Sequence, residues 1–135
     1  MGLCCPIDKC IHSVTSAHVD LRIDNNGTWM DAFQFGTPGD TTWTLEGQSF
    51  ELDVQRTSYD SVPLLHLDSA GGQILIDDAA QRVIHFDVPA ADLQASLSPG
   101  AYVYDLVMVD GVNVRVPLMH GQLFVNQGVT YPAGP

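Results

Sequence analysis

The sequence predicts an all-β domain, a sandwich or barrel of about seven to nine short strands. Three observations indicate this class. Apolar and polar residues alternate with a period of two along most of the chain, turn residues recur at short intervals, and only one segment suits a helix. The chain has 135 residues, 45% of them hydrophobic, which fits one ordered domain with an ordinary apolar load.

The first half of the chain predicts four strands. Alternation over 18–24 predicts the first, and the NNG turn at 25–27 predicts a hairpin, because Asn and Gly tolerate positive φ. The chain is then expected to return as TWMDAFQF at 28–35. After a turn cluster, apolar residues predict a short strand at 43–45 and a longer one at 50–54.

The middle of the chain predicts three more strands and the one helix. The strands are expected at 64–67, 74–76 and 82–88, where apolar residues alternate between turn signals. Pro89 suits the first position of a helix, and good helix formers follow it. A short helix is therefore predicted near 89–97, ended by the sequence SPG.

The last part of the chain predicts a hairpin. Residues 101–109 and 112–119 flank the dipeptide DG, which is typical of tight turns between paired strands. Gly121 is expected to interrupt the second of these strands, so 123–126 is predicted as a separate, final strand.

One local motif narrows the fold. Leu97, Gly100 and Tyr102 belong to LSPGAY, which has the form L-x-P-G-x-Y and stands directly before a long predicted strand. This form is typical of the tyrosine corner of immunoglobulin-like sandwiches, in which the ring packs under the corner and the hydroxyl bonds to the backbone upstream. We therefore expect an immunoglobulin-like antiparallel β-sandwich with these three residues as its structural corner.

The charge balance argues against two classes of partner. The net charge is -11, and the five basic residues are scattered singly. Such a surface repels phosphate backbones and anionic membranes, so we expect no contact with nucleic acid or membrane.

The longest apolar runs fall far short of the ~20 residues of a membrane span. No charged stretch followed by an apolar one opens the chain, so secretion is not expected.

The opening stretch, MGLCCPIDKCIH, holds all three cysteines. Cys4, Cys5, Cys10 and His12 could bind zinc, but their spacing departs from the usual zinc knuckle. A disulfide is possible and would leave one thiol unpaired. Pro6 stands where a lipid-anchor motif needs Ser or Thr. We expect no bound metal here, and we predict that the three cysteines are small apolar contacts to a neighbouring subunit.

Three His-x-Asp triplets, at 18–20, 66–68 and 85–87, each place an imidazole and a carboxylate on one strand face. Neighbouring strands could bring such groups together as metal ligands or as an acid–base pair. The simpler interpretation is a solvated strand face. The chain has no G-x-S-x-G, paired-carboxylate or H-E-x-x-H signature, so we expect neither catalysis nor a cofactor.

Four aromatic residues keep carbohydrate binding open as an alternative function. Trp29, Trp43, Tyr59 and Tyr131 could stack on sugars if they were exposed. Aromatic residues at inward strand positions more often belong to the core. The alternative function, a carbohydrate-binding module for host attachment, therefore requires an exposed aromatic platform, most simply Trp29 or Trp43.

Five segments follow one another in a recognisable order. They are LRIDNNGTWMDAFQF at 21–35, LEG leading into ELDVQR at 45–56, GQILIDDAAQRVIHFDVPAADLQASL at 72–97, SPGAYVYDLVMVDG at 98–111 and HGQLFVNQGVTYP at 120–132. This order resembles that of a family of small immunoglobulin-like modules encoded among the virion genes of tailed bacteriophages. The most distinctive piece is G-x-Y-x-Y-D-L at 100–106. The resemblance implies a structural role in the head–tail neck, tail or baseplate, without catalytic residues.

The resemblance covers residues 18–132, which we take as the sandwich, with an N-terminal arm at 1–17 and a C-terminal tail at 133–135. It implies a virion protein that assembles with other virion proteins and with itself, and that is found in the host cytoplasm during assembly. A capsid-decorating module is a further alternative.

Assembly of such a protein would use arms and open strand edges. Val19–Ile23 and Leu123–Asn126 are the expected open edges. The candidate assembly contacts are Cys4, Cys5, Cys10, Val19, Leu21 and Ile23.

Overall fold

Nine strands and one helix make up the part of the chain that this computed structural model describes, residues 16–59 and 62–130. The strands are β1 (Ala17–His18), β2 (Leu21–Asp24), β3 (Ala32–Gln34), β4 (Ser49–Gln55), β5 (Leu65–Asp68), β6 (Ile74–Asp78), β7 (Val83–Phe86), β8 (Gly100–Val109) and β9 (Arg115–Asn126). The helix α1 (Ala90–Ser96) lies between β7 and β8 in the chain.

The strands form two sheets. The larger sheet has the order β1-β9-β8-β4-β5, with β2 also paired to β9, and the smaller has the order β3-β7-β6. This is the arrangement of the G-F-C-C′ and B-E-D strands of an immunoglobulin fold. The structure therefore confirms the predicted immunoglobulin-like sandwich with one short helix.

The pairing of the first strands differs from an all-antiparallel sheet. β1 and β2 lie along successive stretches of the same side of β9 and run parallel to it. Every other strand pair within the described residues is antiparallel. The beginning and the end of the described chain thus meet at one edge of the larger sheet.

The core lies between the two sheets and is built from alternate residues of their strands. Phe50, Leu52 and Val54 on β4 are fully buried, and so are Ile84 and Phe86 on β7. Burial of a side chain of this size contributes about 1.5–3 kcal/mol relative to exposure. The period-two pattern of the sequence therefore reports the inward faces of these strands.

The NNG turn forms but does not close a hairpin, contrary to the prediction. β2 belongs to the larger sheet and β3 to the smaller one, so the chain crosses between sheets, and Trp29 pairs with Val88. Asn25 is buried, and its side-chain oxygen accepts a hydrogen bond from Gly128 N at 3.0 Å. Asn25 O also accepts a hydrogen bond from Gln94 Nε2 of α1 at 2.9 Å, so this turn contacts the helix and the end of the described chain.

The strand predicted at 43–45 is absent, because this stretch is part of a loop that wraps around one arginine. Arg82 is fully buried. Its guanidinium donates to five backbone carbonyl oxygens at 2.6–3.2 Å. The acceptors are the carbonyl groups of Phe35, Thr37, Asp40, Trp43 and Ala80. A carbonyl group that accepts a hydrogen bond from Arg82 points toward the guanidinium and cannot also pair with a neighbouring strand, so this stretch forms no strand pairing.

Gly121 does not interrupt β9, which runs unbroken from Arg115 to Asn126. The prediction of two separate strands was therefore wrong. A Cβ atom on Gly121 would lie 2.3 Å from Val19 O, so glycine is needed for a different reason, the close approach of the edge segment. Val19 N donates to His120 O at 2.8 Å, and the Tyr104 hydroxyl donates to Val19 O.

The predicted structural corner forms at the start of β8. Tyr102 is buried, and its hydroxyl donates to Ser98 O at 2.5 Å, four residues upstream. Gly100 opens the strand with a φ of +154°, a value that L-residues rarely adopt. Leu97 is buried beside the corner, after a helix whose N-cap, rather than first helical residue, is Pro89.

Candidate functional site: the His–Asp row of the larger sheet

One line of side chains crosses the outer face of the larger sheet from edge to edge. His18 on β1 is in register with His120 on β9, His120 with Asp105 on β8, Asp105 with Asp53 on β4, and Asp53 with His66 on β5. We refer to these five residues as the His–Asp row. All five side chains of the row are imidazole or carboxylate groups.

The sequence places the row outward because its strands alternate. On β4, Leu52 and Val54 are buried on either side of Asp53, and on β8, Tyr104 and Leu106 are buried on either side of Asp105. Successive side chains of a strand point to opposite faces, so a buried residue on each side directs the residue between them to solvent. His66 follows the same rule between two buried leucines of β5.

His66 lies between two carboxylates. Its Nδ1 is 2.5 Å from Asp53 Oδ1, and its Nε2 is 3.1 Å from Asp68 Oδ2. The side chain is 44% exposed, so water still reaches the group. The hydrogen bond to Asp53 is the main cause that raises the pKa of His66 above its ordinary value. Desolvation by burial is the second-largest effect and lowers the pKa, while the contact with Asp68 raises it again.

The other end of the row brings two imidazoles together. The rings of His18 and His120 meet edge to face with centroids 5.2 Å apart. His18 Nε2 lies 3.1 Å from Asp20 Oδ1, and His120 Nδ1 lies 2.9 Å from Ser16 Oγ. Asp20 Oδ1 also accepts a hydrogen bond from Gln122 N at 2.9 Å. This end therefore fastens the first described strand to β9.

The centre of the row places two carboxylates in register on neighbouring strands. Desolvation on this crowded face raises the pKa of the Asp105 carboxyl, and the Asp53 charge raises it further. Arg115 and His120 act in the opposite direction. Like charges directly opposite each other destabilise a sheet, so the centre of the row is its unfavourable part.

The three triplets do not meet as one site. The triplets at 18–20 and 66–68 lie at opposite edges of the larger sheet, while His85 is on the smaller sheet, where its Nδ1 lies 2.7 Å from Asp77 Oδ1. Among the described residues, no group of three or more His, Cys, Asp or Glu side chains is arranged to hold a metal ion. The triplets contribute to separate hydrogen-bonded pairs instead.

The two expected open edges have different outcomes. Val19–Ile23 does lie at an edge of the larger sheet, although Leu21 and Ile23 are buried in the core of this chain and Val19 is partly buried. Leu123–Asn126 is not an edge, because β8 pairs with one side of it and β2 with the other. That expectation was wrong because the two candidate edges pair with each other.

The β8–β9 hairpin presents an apolar tip, which we define as residues 110–114. Its turn is fixed by Asp110, whose Oδ1 accepts hydrogen bonds from Val112 N at 2.9 Å and Val114 N at 3.0 Å. Val112 is 80% exposed and Val114 is 53% exposed. The predicted hairpin is thus confirmed, and it holds two exposed valines in a defined turn.

The aromatic platform required for sugar binding is not formed by the indoles. Trp29 is buried, stacks edge-on against Phe86, and donates from Nε1 to Asp31 at 2.9 Å. Trp43 is partly buried, with its ring 5.3 Å from the Arg82 guanidinium. Tyr59 is 94% exposed.

Several predicted sites lie outside the described residues. These are Cys4, Cys5, Cys10 and His12, together with Tyr131 and the tail at 133–135. In the described residues, no helix is long and apolar enough to cross a membrane.

The strand order and the tyrosine corner define an immunoglobulin-like domain. Comparison with known proteins does not assign the chain to a more specific family. No protein-family model and no curated protein matches the chain. Among solved structures, the chain is similar to CopC from Methylosinus trichosporium OB3b at a TM-score of 0.41, with 11% identity over 90% of this chain and 93% of that one. It is also similar to extracellular domains 3–5 of Drosophila OTK at a TM-score of 0.31, with 13% identity over 81% of this chain and 33% of that one. Both likenesses are too distant to bear on function.

Proposed function

We propose that this chain is a non-enzymatic structural component of a tailed-phage virion and that it acts by subunit–subunit assembly. The observation that carries the proposal is the apolar hairpin tip at 110–114. Two valines are held in solvent by a turn that Asp110 fixes, so the tip can enter an apolar site on a neighbouring subunit with little loss of conformational freedom.

Two further features support an assembly role. The first is the sequence order from 18 to 132, which resembles small immunoglobulin-like modules of tailed-phage virions. The second is the presence of unpaired strand edges within the described residues, at β5 of the larger sheet and at β3 and β6 of the smaller one. Unpaired edges offer backbone donors and acceptors to another chain.

The test is to find the protein in particles. Virions purified from a phage that encodes this chain are analysed by mass spectrometry and labelled with an antibody against the domain. We expect the protein at a fixed copy number, with label at the neck, the tail or the baseplate. Its absence from intact virions would overturn the proposal, and label spread over the capsid surface would identify a decorating module instead.

A substitution at the tip tests the mechanism. The double variant V112S/V114S removes the apolar contact and retains Asp110 and the turn, so the folded domain should persist while incorporation into virions falls at least about tenfold. V129S is the matched control, because Val129 is 94% exposed but lies outside the tip. Equal incorporation of the tip variant and the control would exclude the tip as an assembly contact.

A further inference from the structure

We propose that His66 is a protonation-dependent latch that holds the edge strand β5 on β4 and releases it as the pH rises. This inference does not depend on the proposed function. It rests on the position of His66 at the edge end of the His–Asp row and on the two carboxylates that its ring joins.

The strand β5 depends on β4 for its place in the sheet. It has four residues, and within the described residues it pairs only with β4. Backbone hydrogen bonds at its two ends run from Leu64 N to Val54 O at 2.8 Å and from Ser69 N to Phe50 O at 3.0 Å. A short edge strand of this kind belongs to the part of a fold that opens locally at low free-energy cost.

The chemistry of the two contacts requires a proton. A carboxylate only accepts hydrogen bonds, so both nitrogens of His66 must donate for both contacts to form. The imidazolium has two N–H groups and neutral imidazole has one. Loss of the proton therefore breaks one of the contacts, either to Asp53 on β4 or to Asp68 within β5. In both cases it removes the ionic attraction between His66 on β5 and Asp53 on β4.

The surrounding charges increase this effect. The acidic groups around His66 are Asp53 and Glu51 on β4, Asp105 on β8, and Asp68 on β5 itself. The nearby basic groups are Arg115, which pairs with Glu51 at 3.1 Å, and His120, both on β9. Asp68 is in register with Glu51, and Asp53 lies diagonally across the β4–β5 pair from it. Without the His66 charge, no cation lies between Asp53 and Asp68, and these carboxylates repel.

The direction of the pH effect follows from linkage. The pKa of His66 in the folded protein is raised above its ordinary value of 6.5, chiefly by the hydrogen bond to Asp53. The stabilising contribution is therefore complete below about pH 6.5 and is lost as the pH rises through the folded-state pKa. The latch is closed in mild acid and opens as the pH rises through the folded-state pKa of His66.

Two measurements on the full chain test the latch. In ¹⁵N NMR titrations, we expect His66 to titrate above 6.5 with both ring nitrogens protonated in mild acid, and D68N to lower that pKa. In hydrogen exchange, we expect protection of the Leu64 and Ser69 amides, corrected for intrinsic rates, to fall about two- to fivefold from pH 6 to pH 8.5. H66Q should abolish that fall.

The matched control is H85Q, because His85 has one carboxylate partner, Asp77, in the smaller sheet and makes no contact with β5. H85Q should retain the pH-dependent protection of β5. Titration of His66 at or below 6.5, or the same fall in protection in H66Q as in the natural chain, would overturn the proposal. The pH-dependent fall should also be absent in D53N, which removes the partner of His66 on β4, and that variant remains decisive if H66Q fails to fold.

Discussion

Arg82 and His66 each place a cation among several oxygen acceptors, but in opposite surroundings. Arg82 is fully buried and contacts five neutral carbonyl oxygens, whereas His66 is 44% exposed and contacts two carboxylates. A guanidinium stays charged at every pH that a protein meets, while an imidazole loses its charge near neutrality. In both cases a cation holds two parts of the chain together. The Arg82 contacts are permanent, whereas the His66 contacts depend on protonation of the imidazole.

Their energies should differ for the same reason. Removal of the buried cation would take the guanidinium donor from one buried and four part-buried carbonyl groups. A carbonyl group that is left without a donor and shielded from water costs about 1–3 kcal/mol. A half-exposed ion pair contributes about 0.2–1 kcal/mol, because water and salt screen it. We therefore expect the conformation of the loop around 35–45 to depend on Arg82, whereas His66 changes only the free energy with which β5 is held on β4.

The largest expected effect is the loss of Arg82. R82M should lower the free energy of unfolding by about 3 kcal/mol or more, because methionine fills part of the space but donates to none of the carbonyl groups. R82K keeps the charge but has fewer donors in a different geometry, so its loss should lie between those of the natural chain and R82M. Urea unfolding measures both.

The control is R22M, because Arg22 lies on the surface over the Phe124 ring, 4.5 Å from its centroid. We expect it to cost less than about 1 kcal/mol. The R82M loss should also stay constant from pH 5 to pH 9. A loss below 1 kcal/mol, or one that varies with pH as in a histidine contact, would remove the contrast between the two cations.

An uncharged anchor gives an intermediate case. Y102F deletes the hydroxyl that donates to Ser98 O and keeps the buried ring, so we expect a loss of about 1–2 kcal/mol. The matched control is Y59F, because Tyr59 is 94% exposed. Thermal unfolding compares the two variants, and equal stability would show that the corner is held by ring packing alone.

Much of the fold could be predicted because alternation reports which side of a strand is buried. In the predicted strand at 82–88, Arg82 has the same parity as Ile84 and Phe86, both fully buried, although it precedes β7 in the structure and has a φ of +61°. A charged residue at an inward position is a signal of a buried, fully hydrogen-bonded cation, and it is the signal that a scan for basic patches overlooks.

Apart from the β8–β9 hairpin, strand partners could not be predicted, because local signals do not encode pairing between distant segments. The NNG turn is the same whether the next strand pairs back or crosses to the other sheet, and here contacts with Gly128 accompany the crossing. The His–Asp row has the same limitation. The triplets containing His18 and His66 were visible in the sequence, but their alignment with His120 and Asp105 depends on the register of four strand pairs.

The smallest expected effect concerns the centre of the row. The pKa of Asp105 is raised in the folded protein, so ionisation of this carboxyl opposes folding, and stability is lost as the pH rises from the ordinary value of 3.8 through the folded-state value. D105N should therefore stabilise the domain by a few tenths of a kcal/mol at pH 7, where the charge is present, and by less near pH 3.

The control D24N makes the same change in net charge on β2, away from Asp53. Urea unfolding at the two pH values separates the outcomes. A gain limited to D105N at pH 7 identifies repulsion across β4 and β8, and an equal gain in D24N would assign the effect to net charge alone. Because Asp53 is both the carboxylate that His66 contacts and the one that Asp105 opposes, D105N should reduce the cost of H66Q, so the two sites are coupled within one row.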